Sequence, residues 1–509
     1  MAQAKTAKHW IIISLLLFLV SFSVFLTNAQ AEVSKPNIII MLADDLGYAD
    51  LGFRGSDIET PNLDKMVAQG MRLERFYSWP ICTPTRAALM TGRDPVKLGM
   101  AYAGLQPWVS GGVSPEEHFM PESFQAAGYD TAMIGKWHLG RSHEALVPHQ
   151  RGFQHFVGHL NTQVDYYTHK ATGGHDLQEN GKSIYREGAY ATDVHAQEAV
   201  RYLTDIRDKD KPFFLYVPFL APHSPMQAPE ALKDKYSHRS DMFFQKKTYA
   251  AMVDSLDQAV GRIFEALENE GVDENTIIIF FSDNGGFAGF GADNAPYRGG
   301  KLETFEGGIR VNALVKWPGQ IKPGTVAEDT ISVMDLFPTL TKAAGIPMLA
   351  KKDIDGVERL GVLQGQSSKR KEPLYFGSNS PEYNLFKLAI IDGDMKLVQI
   401  IDHEGTETNV ENYLFNLKND PYEEDNLAED NSYLVKQLSK KLRDWQGQHP
   451  VSGIRVSINP HPGWRSPKDF AEDIRASEDT VNEAWGGFGT LATKTLQFRY
   501  GKKGRIRYE

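Results

Sequence analysis

Cysteine is almost missing from this chain: of 509 residues, only Cys82 is one. A lone thiol forms no internal disulfide, so no covalent staple holds the fold. The Cys and His sets that build structural zinc sites are missing with it. Positive charge is also in short supply, with 55 Lys and Arg against 65 Asp and Glu and a net charge of −10. A protein that tracks a phosphate backbone shows the opposite balance, so no nucleic-acid partner is expected. An anionic substrate in a local basic pocket is still compatible with that charge. Long apolar runs are confined to one place, Ile11 to Leu26, with Lys5 and Lys8 before it and Ala29-Gln30-Ala31 after it. This has the charged region, apolar stretch and small-residue cleavage site of an export signal over 1–31. Its 16 residues fall short of the ~20 that span a bilayer. Cleavage before Glu32 would leave a secreted or periplasmic protein with no stable membrane anchor. Fixed-period repeats are absent as well.

What is present is an ordinary globular composition, 41% apolar and 24% charged, on a chain long enough for a large domain and a small one. Pro36-Asn37 opens the apolar run Ile38 to Ala43, which ends in Asp44-Asp45 and reads as a fully buried strand. Thr60-Pro61-Asn62-Leu63 supplies an N-cap and a first-turn proline, and Gly70 closes that helix. Strand-like runs recur at Thr131–Ile134, Phe213–Phe219, Thr276–Phe281 and Val311–Lys316. Between them, Ala191–Ile206 and Tyr249–Glu270 have helical periodicity. This alternation predicts an α/β fold, a large mainly parallel or mixed sheet sandwiched by helices. Ligands of such sheets gather beyond the carboxyl ends of the strands. The polar, basic stretch Gln364 to Lys371 reads as a linker, so the expected catalytic domain covers 32–370. Short strand candidates and the amphipathic segment Tyr433–Trp445 then predict a smaller antiparallel sheet with a helix over 371–509. The basic end, Lys502 to Arg507, reads as a solvated terminus.

Two strand ends carry hard oxygen donors, Asp44-Asp45 and Asp283-Asn284. Three carboxylates and an amide suit a hard divalent ion, Ca²⁺ or Mg²⁺. A cationic set follows similar apolar runs: Lys136 and His138, which share a side if their strand continues, His223 between two prolines, and Lys301 in a glycine-rich region. Cys82 itself opens the run Cys82-Thr83-Pro84-Thr85-Arg86, which continues to Thr91-Gly92. A helix starting near Pro84 would aim its N-terminus at this anionic centre.

The spacing Cys-x-Pro-x-Arg-x-x-x-x-Thr-Gly, taken with the order of the other motifs, resembles the formylglycine-dependent sulfatases of the alkaline-phosphatase-like superfamily. The likeness runs over about residues 36 to 345. Gly135 to Gly140, Arg151-Gly152-Phe153 and Asp165-Tyr166-Tyr167 resemble the arylsulfatase B-like branch. The resemblance implies that Cys82 is converted to 3-oxoalanine (formylglycine) by a separate maturation enzyme. It implies that Asp44, Asp45, Asp283 and Asn284, with an oxygen of modified residue 82, hold one Ca²⁺. Arg86 would hold the formylglycine, and Lys136 and His138 would act on its hydrate. His223 and Lys301 would bind sulfate and assist departure of the alcohol, by way of a covalent sulfo-enzyme. The implied substrate is a sulfated carbohydrate: a galactan such as carrageenan, an ulvan, or a glycan of the N-acetylgalactosamine 4-sulfate type. Trp108, Tyr166, Tyr167, His169 and Trp464 are candidates to line a sugar subsite, with packing in the core or on the surface the commoner fate of such residues. Three other readings stay open: a phosphoester hydrolase of the same superfamily, a hydrolase using the unmodified thiol, and a silent glycan-binding protein on the same fold.

Overall fold

The structure, a computed structural model, describes residues 35–109, 111–240, 245–380, 385–404, 407–449, 460, 463–474, 498–500 and 506–508. The export signal at 1–31 lies outside them, as does most of the basic end. Asn37–Glu509 forms one compact unit. Its frame is a ten-stranded sheet in which Thr276–Ser282, Asn37–Ala43, Phe213–Pro218, Asp130–Lys136 and His155–His159 run parallel as neighbours in that order. The antiparallel strand Ala313–Lys316 extends one side, and the short Gln178–Glu179 and Lys182–Ser183 extend the other. The sheet is therefore mixed, with a parallel centre.

Strand alternation explains why that centre is apolar on both faces. Ile38, Ile40 and Leu42 join one core, which also takes residues of the helices Cys82–Thr91, Met120–Ala126 and Leu336–Ala343. Ile39, Met41 and Ala43 join the other, under Pro61–Gln69, Ala191–Arg201 and Lys246–Asn269. The helix expected to reach Ile206 is α-helical to Arg201 and ends in a wider turn over Tyr202–Ile206. Thr60 does not cap its own helix. Its hydroxyl instead accepts from the Gly52 N–H, at 2.8 Å. The free N–H groups of Asn62 and Leu63 go to the Asp257 carboxylate of the neighbouring helix, at 3.1 and 2.8 Å. A tertiary contact supplies the cap that local sequence was expected to supply.

The smaller sheet has four antiparallel strands, Leu374–Ser380, Leu385–Asp392, Met395–Glu404 and Glu407–Asn416, one more than the sequence pattern suggests. Leu388, Ile390, Leu397 and Leu414 face the helix Ser432–Gln446. Phe376, Ala389, Val398 and Phe415 face the other way, into the first core of the large sheet. The two sheets thus share apolar interior. Among the described residues no helix is long and apolar enough to cross a membrane.

Asp94, just past the Cys82 helix, is tied to this smaller part. Its carboxylate accepts from Trp445 Nε1 at 2.8 Å and from the Val96 N–H at 2.9 Å. Burial pushes its carboxyl up to about 7, and Asp355 adds to the rise. The folded protein therefore holds an extra proton above the unfolded value of about 3.9. That contribution to stability is complete below about pH 4 and is lost as pH rises through 7. Trp445→Phe removes a donor that favours the ionised form. Its cost should be larger at about pH 8 than at about pH 5, by roughly 1 kcal/mol, in urea unfolding at the two values. Equal costs would mean that Asp94 does not titrate in this range.

Candidate active site

Four parallel strands end on one edge of the sheet, and the chemistry-bearing residues collect there. Asp44-Asp45 follow Asn37–Ala43, Asp283-Asn284 follow Thr276–Ser282, Lys136 ends its own strand and His223 lies five residues past Pro218. The helix Cys82–Thr91 points its first turn at this edge. It begins at Cys82, two residues earlier than Pro84, so the thiol is carried by the helix itself. The helix ends on Gly92 at φ 65°, whose N–H closes on the Ala88 carbonyl. That left-handed position accounts for the glycine of the motif.

Arg86, one turn on, is fully buried and reaches three strand ends. Its Nη2 lies 3.2 Å from Asp44 Oδ2 and 2.9 Å from Asp283 Oδ2, and Nη1 donates to the Lys136 carbonyl at 2.8 Å. Lys136 Nζ lies 2.5 Å from Asp44 Oδ2, and Lys301 Nζ lies 2.6 Å from Asp45 Oδ1. Burial pushes Asp44 up, but Lys136, His223, Arg86 and Lys301 together outweigh it and hold this carboxyl well below the usual range. Burial raises Asp283, and the charge on Asp44 beside it raises it further. The two carboxylates are too close to share one ionised state without help.

The donor set fits a hard divalent cation. Asp44 Oδ1 and Asn284 Oδ1 are both buried and have no hydrogen-bond partner. Buried polar atoms in native proteins are nearly always satisfied, so two bare oxygens on adjacent strand ends mark a place for a ligand. Asn284 is held with its Nδ2 on Asp45 Oδ1, at 2.8 Å, which turns its oxygen the other way. Donor atoms of Asp44, Cys82 and Asp283 lie within 4.8 Å of one another, as do those of Asp44, Asp45 and His223. Oxygen donors dominate, which selects Ca²⁺ or Mg²⁺ over zinc.

The histidines carry defined tautomers. His138 Nε2 lies 2.8 Å from the Leu105 carbonyl, which can only accept, so Nε2 holds the proton. Nδ1 is then a bare, buried lone pair. Burial, reinforced by Lys136 and Arg86, keeps this ring well below its ordinary value, so it is neutral. His138 does not continue the strand to share a side with Lys136. The strand stops at Lys136, and His138 takes φ 61°. His223 donates Nδ1–H to the Ser224 carbonyl at 2.7 Å, and its Nε2 lies 3.7 Å from Asp45 Oδ2. Burial and then Lys301 push it down to about 4.

Several contributors escaped the sequence reading. Thr83 Oγ1 donates to the His138 carbonyl and accepts from the Leu105 N–H, each at 3.2 Å. Thr85 Oγ1 lies 2.6 Å from the Asp283 carbonyl. Both occupy the open positions of the Cys82 motif, where residue type alone carries no signal. Two of the proposed sugar-subsite residues are excluded by burial. Tyr166 is 0% exposed, with its hydroxyl on the His223 carbonyl at 2.8 Å, and His169 is 1% exposed. Trp108 and Trp464 do come together, with ring centroids 5.9 Å apart, and Tyr167 is half-buried against Tyr190.

Arg86→Gln leaves two buried carboxylates without their guanidinium. It should cost about 3–5 kcal/mol in urea unfolding with chelator present. Calcium should raise the melting midpoint of the unaltered chain, by the equivalent of about 2.7 kcal/mol at a hundredfold excess over Kd. No response to either calcium or magnesium would rule out the cation site.

Residues 36–346 match the family model described as Sulfatase, and residues 301–448 match the one described as N-sulphoglucosamine sulphohydrolase, C-terminal. Arylsulfatase J of Mus musculus is 34% identical over 456 residues, covering 81% of this chain and 76% of its own. N-acetylgalactosamine-6-sulfatase of Mus musculus is 35% identical over 376 residues, covering 68% and 70%. Among solved structures, Ps i-CgsB in complex with k-i-k-neocarrahexaose superposes with a TM-score of 0.73 at 30% identity, covering 91% of this chain and 99% of that one. With the strand-edge site, these matches make the chain a member of the sulfatase family and a sulfuric ester hydrolase.

Proposed function

We propose that this is an exported sulfatase that removes sulfate from a sulfated galactan or galactosamine glycan. In this reading residue 82 is converted to formylglycine by a separate maturation enzyme, and Asp44, Asp45, Asp283 and Asn284 hold one calcium ion. The observation that carries the reading is the setting of Cys82. It is 3% exposed, and burial pushes its thiol up despite Lys136 and Lys301 nearby. A buried thiol with a raised value is a poor nucleophile, which speaks against the thiol-hydrolase alternative. The same position suits a precursor whose finished form needs no thiolate.

As an aldehyde hydrate, residue 82 would supply one hydroxyl to attack sulfur and a second to expel the product, while calcium would neutralise the sulfate oxygens. The remaining work falls to groups of the chain itself. Arg86, fixed by two carboxylates and a carbonyl, holds the Cys82 helix against the strand ends. Lys136 and Lys301 hold ammonium groups on Asp44 and Asp45, where a sulfate monoanion would meet them in a mostly buried site. His138, whose carbonyl is held by Thr83 next to Cys82 in the chain, keeps Nδ1 as an acceptor without a partner and would take a hydroxyl proton. At His223 the Nδ1–H is committed to Ser224 and the neutral ring leaves Nε2 bare, so Nε2 could serve the leaving oxygen as an acid only after taking up a proton, which a bound sulfate anion would favour.

The substrate class draws support from the names of similar proteins: one solved structure holds a neocarrahexaose, and one relative is named for N-acetylgalactosamine sulfate. Sulfate release from carrageenan oligosaccharides, N-acetylgalactosamine sulfates and an aryl sulfate, with an aryl phosphate as control, tests it. Preference for the phosphate would place the protein among phosphoester hydrolases. Protein matured alongside a formylglycine-generating enzyme should react with carbonyl reagents and turn over. Cys82→Ala should lose at least about 10⁴-fold in rate with its melting midpoint kept. Activity that thiol alkylation abolishes, with no carbonyl signature, would overturn the mechanism.

A further inference from the structure

None of the site residues described above comes from the smaller sheet, yet one of its lysines is sealed against Glu306, five residues past Lys301. Lys396, in the strand Met395–Glu404, is fully buried. Its Nζ lies 2.9 Å from Glu306 Oε1 and 2.7 Å from Glu423 Oε1, and both carboxylates are also inaccessible. Glu306 is further gripped by the Tyr77 hydroxyl at 2.9 Å and by Arg310 at 3.5 Å. Its backbone N–H donates to Glu423 Oε2 at 2.7 Å.

Glu306 starts a glycine pair that packs, backbone to backbone, on the loop after Asn284. Gly285 N–H donates to the Gly308 carbonyl at 3.0 Å, and a Cβ on Gly285 would sit 1.8 Å from the Gly307 carbonyl. A Cβ on Gly308 would meet the Glu303 carbonyl at 1.9 Å, and Gly307 N–H donates to the Arg298 carbonyl at 2.7 Å. The Lys301 N–H in turn donates to the Gly286 carbonyl at 3.1 Å. Segments 283–286, 298–303 and 306–308 therefore interlock mainly backbone to backbone, with the Asn294 side chain bonded to Gly286 beside them. A shift of Glu306 passes to Asn284 and to Lys301 without slack.

We infer that Lys396 is a positioning residue: by fixing Glu306 it sets the glycine backbone that places Asn284 and Lys301. The inference rests on the calcium reading of the site. An apolar trio of equal volume would hold the seam about as firmly, since buried ion pairs add little net stability. What the ammonium adds is one fixed position for Glu306, as supporting groups do around metal ligands.

The test uses the full chain with Lys396→Met and Glu423→Gln combined, which removes one charge of each sign and leaves Glu306 paired with Arg310. Calcium affinity by calorimetry should weaken about 10- to 100-fold. At saturating calcium, kcat should fall more than KM changes, with the circular dichroism spectrum kept. Unchanged calcium affinity and kcat in the folded variant would overturn the inference. Should that variant not fold, Tyr77→Phe removes only one hydroxyl from Glu306 and should weaken calcium several-fold. Wild-type affinity there would overturn it equally. A wild-type chain that binds no calcium and releases no sulfate would instead overturn the reading beneath it.

Discussion

Arg86 is the constraint on which the rest of the site depends. Its guanidinium has no solvent exposure and joins the ends of two neighbouring parallel strands and the carbonyl ending a third. Arginine is suited to this because its planar fork offers donors in fixed directions and stays charged at any accessible pH. Two buried carboxylates beside each other would be prohibitively costly without it. The same side chain fixes the helix that carries Cys82, because Arg86 lies one turn along it. The Cys82 helix and the acidic strand ends are therefore held together by a single side chain.

The charge pattern around that contact is balanced. Asp44, Asp45 and Asp283 are matched by Arg86, Lys136 and Lys301, so the pocket is close to neutral as built. Two bare oxygens beside carboxylates already paired with ammonium groups suit a pocket that takes a cation and an anion together. Burial strengthens both attractions, since the effective dielectric inside is far below that of water. An overall charge of −10 is no obstacle, because these fields act within a few ångströms.

Much of this was legible in the sequence, for reasons that differ by element. The central strands are unbroken apolar runs because both faces are covered, and their ends are marked by the first charged residues, Asp44-Asp45 and Asp283-Asn284. The Cys82 motif was legible through its spacing, with Gly92 set by a helix end that needs a left-handed residue. What could not be read is what depends on distant partners. Thr60 looked like a cap, and Asp257 from another helix took the role. Tyr166 looked like a sugar platform, and it lies buried against the His223 carbonyl. Lys396 sits in the ten-residue strand Met395–Glu404, and nothing near it in sequence foretells Glu306. The strand Glu407–Asn416 begins with polar residues, which hid its first half.

One further failure of the sequence pattern is informative. In a strand, successive side chains point to opposite faces, so Asp44 and Asp45 cannot both reach one pocket, yet they do. The backbone resolves this at Asp45, which takes φ 69° and turns the chain out of the sheet. His138 does the same at φ 61°, two residues past Lys136. Left-handed backbone at a residue with a side chain costs on the order of 1–2 kcal/mol. At Asp45 the cost is offset by ties to Lys301 and Asn284, and at His138 by Leu105 and Thr83. Backbone strain has therefore been accepted at Asp45, where regular structure would have sent the carboxylate to the opposite face from Asp44, and at His138, where the chain leaves the strand. The sheet brings the strand ends together, and departure from its geometry turns those side chains toward one another.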